Sequence, residues 1–195
     1  MNGKYLILAS KSPRRKELLK SVGIKFKAID HKYDENTADK SDAILYVENA
    51  ALGKALSIGN LPKYNDKFIL GVDTVVVCGD KILGKPKSVE EADANIRDMS
   101  GKWHSVVSGI SLVNSSLSVN FTQSVLSKVR FKDFSEEFIK FYLDNNHWKG
   151  YAGGYAIQGI FALTVDKIEG SYTNIVGLPL ETLYDMLKTI KYDIF

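Results

Sequence analysis

Phe68–Cys78 reads FILGVDTVVVC, the most strand-like stretch in the chain, and the fold can be read outward from it. It is a continuous apolar run suited to a buried strand, interrupted by a single carboxylate, Asp73. Gly79-Asp80 makes a turn into a short strand, Lys81–Leu83. Upstream, Lys4–Ala9 (KYLILA) is a second buried-strand run. Ser12 followed by Pro13 reads as an N-cap and first helical position, starting a helix to about Val22 that Gly23 ends. Phe26–Ile29 is another strand, and Ser41 caps a helix to about Ile58. In that helix Ile44, Val47, Ala51, Ala55 and Ile58 recur at three- and four-residue steps.

Downstream, Ser88 with Glu91 forms a capping box for a helix to Met99, closed by Gly101. Trp103–Val113 and Leu117–Phe131 read as long strands around a polar turn, Asn114–Ser116. Ser135 caps a helix through Phe141 to about Asn145. A glycine-rich segment, Lys149–Gly159, leads into strand Phe161–Ile168, the turn Glu169-Gly170 and strand Tyr172–Val176. Gly177–Pro179 breaks the chain before a final helix, Leu180–Ile190. No internal repeat or low-complexity linker occurs. The expectation is a single α/β domain over residues 1–195 with mixed strand directions.

Composition agrees with that class. The chain has 195 residues, 45% hydrophobic and 25% charged, which excludes disorder, collagen and coiled coil as its main state. No segment approaches the roughly 18 uninterrupted apolar residues of a membrane span. The apolar run Tyr5–Ala9 is too short for a signal-peptide core, and its charges, Lys11, Arg14, Arg15 and Lys16, follow it. Cys78 is the only cysteine, so no internal disulfide forms and a reducing, cytoplasmic setting is the simplest expectation. With 26 basic and 23 acidic residues the net charge is +3, only a weak pull toward anionic partners.

Three groups of residues point to chemistry. Ser10-Lys11-Ser12-Pro13-Arg14-Arg15 lies between a buried strand and a helix start, where free N–H groups and the helix dipole favour phosphate. The same residues also read as a capped surface helix with solvated cations. Asp73 is sharper. A carboxylate among strand formers is kept only if it is paired, bound to metal or open to a cleft. A strand end or a salt bridge to a lysine would account for it structurally. Gly71 would let a ligand approach the backbone there. Lys85 sits on a stiff turn, Lys54 on a helix among small residues, and Gln158 in a segment able to wrap a ligand. Each has a plain alternative as a solvated or snorkelling side chain. His31, His104 and His147 are too far apart in sequence for a zinc pattern, and no Walker A or G-x-G-x-x-G motif occurs. Cys78 reads as packing, and the aromatic residues read as core and not as the basic-aromatic stripe of a single-strand binder.

These segments, in this order, resemble the Maf (septum-formation-inhibitor-like) family of nucleoside triphosphate pyrophosphatases. The matching pieces are Leu6-Ile7-Leu8-Ala9-Ser10-Lys11-Ser12-Pro13-Arg14-Arg15, Gly71-Val72-Asp73-Thr74-Val75-Val76, Gly84-Lys85-Pro86 and Met99-Ser100-Gly101-Lys102. Gly153-Gly154-Tyr155-Ala156-Ile157-Gln158-Gly159, Ile168-Glu169-Gly170-Ser171-Tyr172 and Val176-Gly177-Leu178-Pro179-Leu180 complete the set.

The resemblance implies a mixed, strongly twisted sheet flanked by helices, with two lobes and a central cleft. It implies cleavage of a nucleoside triphosphate between the α and β phosphorus atoms, with a divalent cation, Mg or Mn. By the same resemblance Asp73 is the general base and, with Glu35, a metal ligand. Ser10, Arg14, Arg15, Lys54, Thr74, Lys85 and Gln158 then bind substrate. Glutamine at 158 matches the branch acting on dTTP and UTP, whereas the 7-methyl-GTP branch usually carries glutamate. A homodimer is implied too. One departure stands in Lys149-Gly150-Tyr151-Ala152-Gly153, where glycine replaces an aspartate common in the family. The rival readings are a pyrophosphatase of different base preference, or a nucleic-acid-binding or division-regulating module without catalysis.

Overall fold

The computed structural model describes residues 5–34 and 39–194. Its order is β1 (Leu6–Leu8), α1 (Pro13–Ser21), β2 (Phe26–Ala28), α2 (Ala43–Gly59), β3 (Ile69–Cys78), β4 (Lys81–Leu83) and α3 (Val89–Met99). There follow β5 (Trp103–Asn114), β6 (Val119–Phe131), α4 (Glu136–Asp144), β7 (Val165–Glu169), α5 (Tyr172–Val176) and α6 (Leu180–Thr189). The strands form one seven-stranded sheet in the order β2-β1-β3-β5-β6-β7, with β4 paired to β3. β1 runs parallel to β2 and β3, while β4 and β7 pair antiparallel with β3 and β6, so the sheet is mixed as expected. Among the described residues no helix is long and apolar enough to cross a membrane.

Local chemistry explains most boundaries. At α3, Ser88 Oγ accepts from Glu91 N–H, and the Glu91 carboxylate accepts from Lys87 N–H, one residue before the reciprocal arm of a regular capping box. Ser135 Oγ accepts from Phe138 N–H to start α4. The cap of α2 is Asp42, not Ser41. Its carboxylate accepts from the Ile44 and Leu45 amides, and Ser41 turns its hydroxyl to Asp39.

Two strand expectations fail. Residues 160–164 form a 3-10 turn, so only Val165–Glu169 is strand. Tyr172–Val176 is a helix, because Ser171 Oγ accepts from Asn174 N–H and closes a turn. Asn174 is buried and donates from its side chain to Val106 O and Ser127 Oγ, which holds that turn in place. A short apolar run carries too little periodicity to choose between strand and helix on its own.

The chain divides into two compact units. The first comprises Met1–Asp73, Ser108–Val125 and Gly177–Phe195, and the second Thr74–Val107 and Leu126–Val176. The core of the first joins Ile7, Ala9, Ala55, Ile58, Ile69 and Val113, with Ile29, Leu52, Leu56 and Tyr64 packed against it. The core of the second is aromatic. Phe131, Phe134, Phe138, Tyr142, Tyr155 and Phe161 meet at ring separations of 4.6–6.1 Å, most of them tilted or edge-on.

α2 lies unusually close to the sheet. A Cβ on Gly71 of β3 would fall 2.1 Å from Ala51 O and 2.9 Å from Ala55 N. One on Gly109 of β5 would fall 2.0 Å from Val47 O. Gly71 therefore admits the helix backbone, not a ligand, which corrects the reading made of it above.

Candidate functional site

The close seating of α2 on Gly71 decides where Lys54 goes. Lys54 lies within one helical turn of both Ala51 and Ala55, and Asp73 lies two residues along β3 from Gly71, on the same face of the strand. Lys54 Nζ donates to Asp73 Oδ1 at 2.5 Å, with only 4% of the lysine side chain and 11% of the aspartate side chain exposed. Two charges that the sequence places 19 residues apart thus form one buried pair. The pairing satisfies the cost of burying either charge alone. The lysine engages one carboxylate oxygen, Oδ1.

Ser10 and Arg15 form a second group in the same unit. Arg15 Nη1 donates to the buried Ser10 Oγ at 3.0 Å, and Arg15 Nε donates to Gly177 O at 2.9 Å. Arg15 therefore fastens the start of α1 to the segment that leads into α6. Ser12 occupies the N-cap position of α1, yet its side chain makes no capping hydrogen bond. Its own N–H donates instead to Ser10 Oγ at 3.2 Å. The start of α1 is thus tied back to Ser10 and not closed by the Ser12 hydroxyl. Arg14 is half-buried on α1, and Lys11 pairs with Asp30 at 3.0 Å.

The remaining predicted residues belong to the second unit. Thr74 is half-buried on β3, while Lys85 and Gln158 are exposed in loops. The loops are joined, since Gly153 N–H donates to Gly84 O at 2.8 Å. Gly150, the departure from the family pattern, has φ +83°, a left-handed conformation that suits glycine better than aspartate. Glu35 lies outside the described residues. Among the described residues no cluster of three or more His, Cys, Asp or Glu side chains is arranged to hold a metal. The donor chemistry still suits a hard cation. Mg is commonly held by one or two carboxylates together with substrate phosphates, and Asp73 offers a carboxylate of that chemical type.

Sequence reasoning passed over His104 as an unpaired histidine. In the structure it is buried, and its Nε2 lies 2.8 Å from the Tyr155 hydroxyl. Its other nitrogen has no hydrogen-bond partner among the described residues. No local signal in the almost continuously buried β5 run marked it, because its partner lies 51 residues along the chain. Burial holds the His104 imidazole at about 4, below its ordinary 6.5. The neutral form is the folded form, so this contribution to stability is present above pH 6.5 and is lost as pH falls toward 4. Urea titrations at pH 7 and pH 4.5 should show a loss of roughly 3 kcal/mol at most, and His104→Gln should flatten that acid limb. An equal acid loss in both proteins would count against the assignment.

A match to the family of Maf-like proteins runs over residues 5–190, through every segment described above. The chain belongs to the Maf family. A Maf relative from Thermoanaerobacter sp. (strain X514), named dTTP/UTP pyrophosphatase, is 40% identical over 183 residues, covering 94% of this chain and 95% of its own. A relative of the same name from Clostridioides difficile (strain 630) is 41% identical, covering 94% and 93%. Among solved structures, the Staphylococcus aureus Ham1 protein covers 66% of this Maf chain and 72% of its own at 13% identity, with a TM-score of 0.42.

Proposed function

We propose that this Maf protein hydrolyses dTTP and UTP to the monophosphate and pyrophosphate. The observation that carries the reading is the buried Lys54–Asp73 pair, in a chain about 40% identical to two dTTP/UTP pyrophosphatases over most of their length. A water oxygen attacks the α phosphorus, the bond from that phosphorus to the α–β bridging oxygen breaks, and pyrophosphate leaves. Asp73 takes the water proton on the oxygen that Lys54 does not occupy. Lys54 holds the carboxylate in one orientation, so the acceptor lone pair is aimed before substrate arrives. Ser10, Arg14, Arg15 and Lys85, with the dipole of the α1 N-terminus, supply counter-charge and hydrogen bonds to a triphosphate carrying about four negative charges. A divalent cation, Mg or Mn, would be held by Asp73 and Glu35 and would supply charge neutralisation on the phosphates.

Base choice falls to Gln158, with Thr74 beside it in role. A glutamine amide offers one donor and one acceptor, which match the adjacent N3–H and O4 of uracil and thymine. Gln158→Glu removes the donor, so kcat/KM for UTP and dTTP should fall by about tenfold or more while the melting temperature holds. Gln158 is exposed, so its replacement should not disturb packing. An unchanged preference across a nucleotide panel would remove it from the site. The activity itself is tested by incubating that panel with Mg or Mn and identifying products. Monophosphate with pyrophosphate supports the reading; diphosphate with orthophosphate, or no hydrolysis, overturns it. A homodimer and a cytoplasmic setting belong to the same reading, and sedimentation velocity tests the dimer.

A further inference from the structure

The segment that carries Gln158 is fastened within the second unit at two points. The first is at its start. Besides the hydrogen bond from Gly153 to Gly84, a Cβ on Gly153 would lie 3.0 Å from Val76 Cγ2, and one on Gly154 would lie 3.1 Å from Pro86 Cγ. Both glycines have positive φ, +66° and +84°, so this backbone path suits few other residues. The contact ties the segment to Gly84-Lys85-Pro86, the turn that presents the candidate phosphate cation.

The second fastening is Tyr155, three residues before Gln158. Its ring packs edge-on to His104 at 5.3 Å and to Phe131 at 5.0 Å, and its hydroxyl meets His104 Nε2. His104 stands at the start of β5, one of the sheet's interior strands, so the loop is anchored to a rigid element. A phenylalanine at 104 would fill the same aromatic cluster without burying an unpartnered ring nitrogen. Keeping a histidine there makes sense if its hydrogen bond holds something in register. What it holds is the segment running from Tyr155 to Gln158.

We propose that the His104–Tyr155 hydrogen bond is a positioning device that holds Gln158 in register with the Lys85 turn and so sharpens base selection. The proposal rests on the dTTP/UTP reading for its consequence, but not for its mechanical part. Neither residue touches substrate; both act through the segment they fix.

Tyr155→Phe keeps the ring and deletes only the hydroxyl. KM for UTP and dTTP should rise about five- to tenfold, with kcat changed less than about twofold and the preference for these two across a nucleotide panel narrowed to match. Amide hydrogen exchange at residues 156–159 should quicken by about tenfold, while exchange in β5 stays as it was. His104→Gln, whose amide can still meet the Tyr155 hydroxyl, should retain the preference better than His104→Leu. The proposal is overturned if Tyr155→Phe leaves exchange at 156–159 unchanged, or if kcat falls with KM and base preference intact, as a merely structural role would produce. If the parent protein does not hydrolyse dTTP or UTP, the functional reading falls, and the exchange comparison alone still decides the positioning claim.

Discussion

Asp73→Asn should fold like the parent chain and release pyrophosphate from dTTP or UTP about 10³-fold more slowly. The amide has the carboxylate's shape and can still accept from Lys54, so the packing of α2 against β3 survives. What it lacks is an oxygen basic enough to take a proton from water. Burial makes the test clean, because 11% side-chain exposure leaves little room for bulk solvent to substitute as base. Single-turnover assays with Mg or Mn, with melting curves run in parallel, would measure the loss. A variant that keeps near-parental rates would remove Asp73 from catalysis and leave its pairing with Lys54 as a structural feature. Retained nucleic-acid binding that falls steeply with salt, with no hydrolysis in either protein, would instead favour the non-catalytic module.

Gly109→Ala carries the largest expected effect on stability. The new methyl would meet Val47 O at 2.0 Å, and neither strand nor helix backbone can rotate out of its way as a side chain could. Overpacking of this kind costs about 3 kcal/mol, and more where backbone must move. For a chain of this size that is a melting shift of roughly 10 °C. Gly71→Ala meets Ala51 O at 2.1 Å and should cost a similar amount, with an added consequence. It lifts α2 at the turn that carries Lys54, so the lysine recedes from Asp73. Activity measured well below the melting temperature should then fall more in Gly71→Ala than in Gly109→Ala, whose clash lies nearer the start of the helix. Equal activity in both would show that the lysine pairs with Asp73 without help from the glycine notch. A parental melting temperature in either variant would mean that the helix has slack the structure does not show.

Much of this protein is written locally. The Ser-Pro entry to α1, the Ser88 and Ser135 caps and the long strands β3, β5 and β6 follow from neighbours a few residues apart, where hydrogen-bonding side chains and hydrophobic period act directly. Local readings fail where two short-range choices are close in energy. Tyr172–Val176 has the composition of a strand, and its helix is decided by Ser171 at its start and by Asn174 reaching Val106 and Ser127.

The site divides along the same line. Asp73 stands out from the chain alone, because a carboxylate inside a strand demands a reason. That Lys54 is that reason depends on how near α2 can approach β3, which Gly71 permits and no spacing along the chain reveals. Arg15 reads as a phosphate cation, whereas its donation to Ser10 and Gly177 appears only once residues far apart in sequence are brought together. His104 looks idle until Tyr155 closes over it. Which side chains are chemically able to act is legible along the chain, since that is a property of each residue and its near neighbours. Which of them meet is settled in three dimensions, because those meetings rest on close backbone contacts between segments distant in the chain.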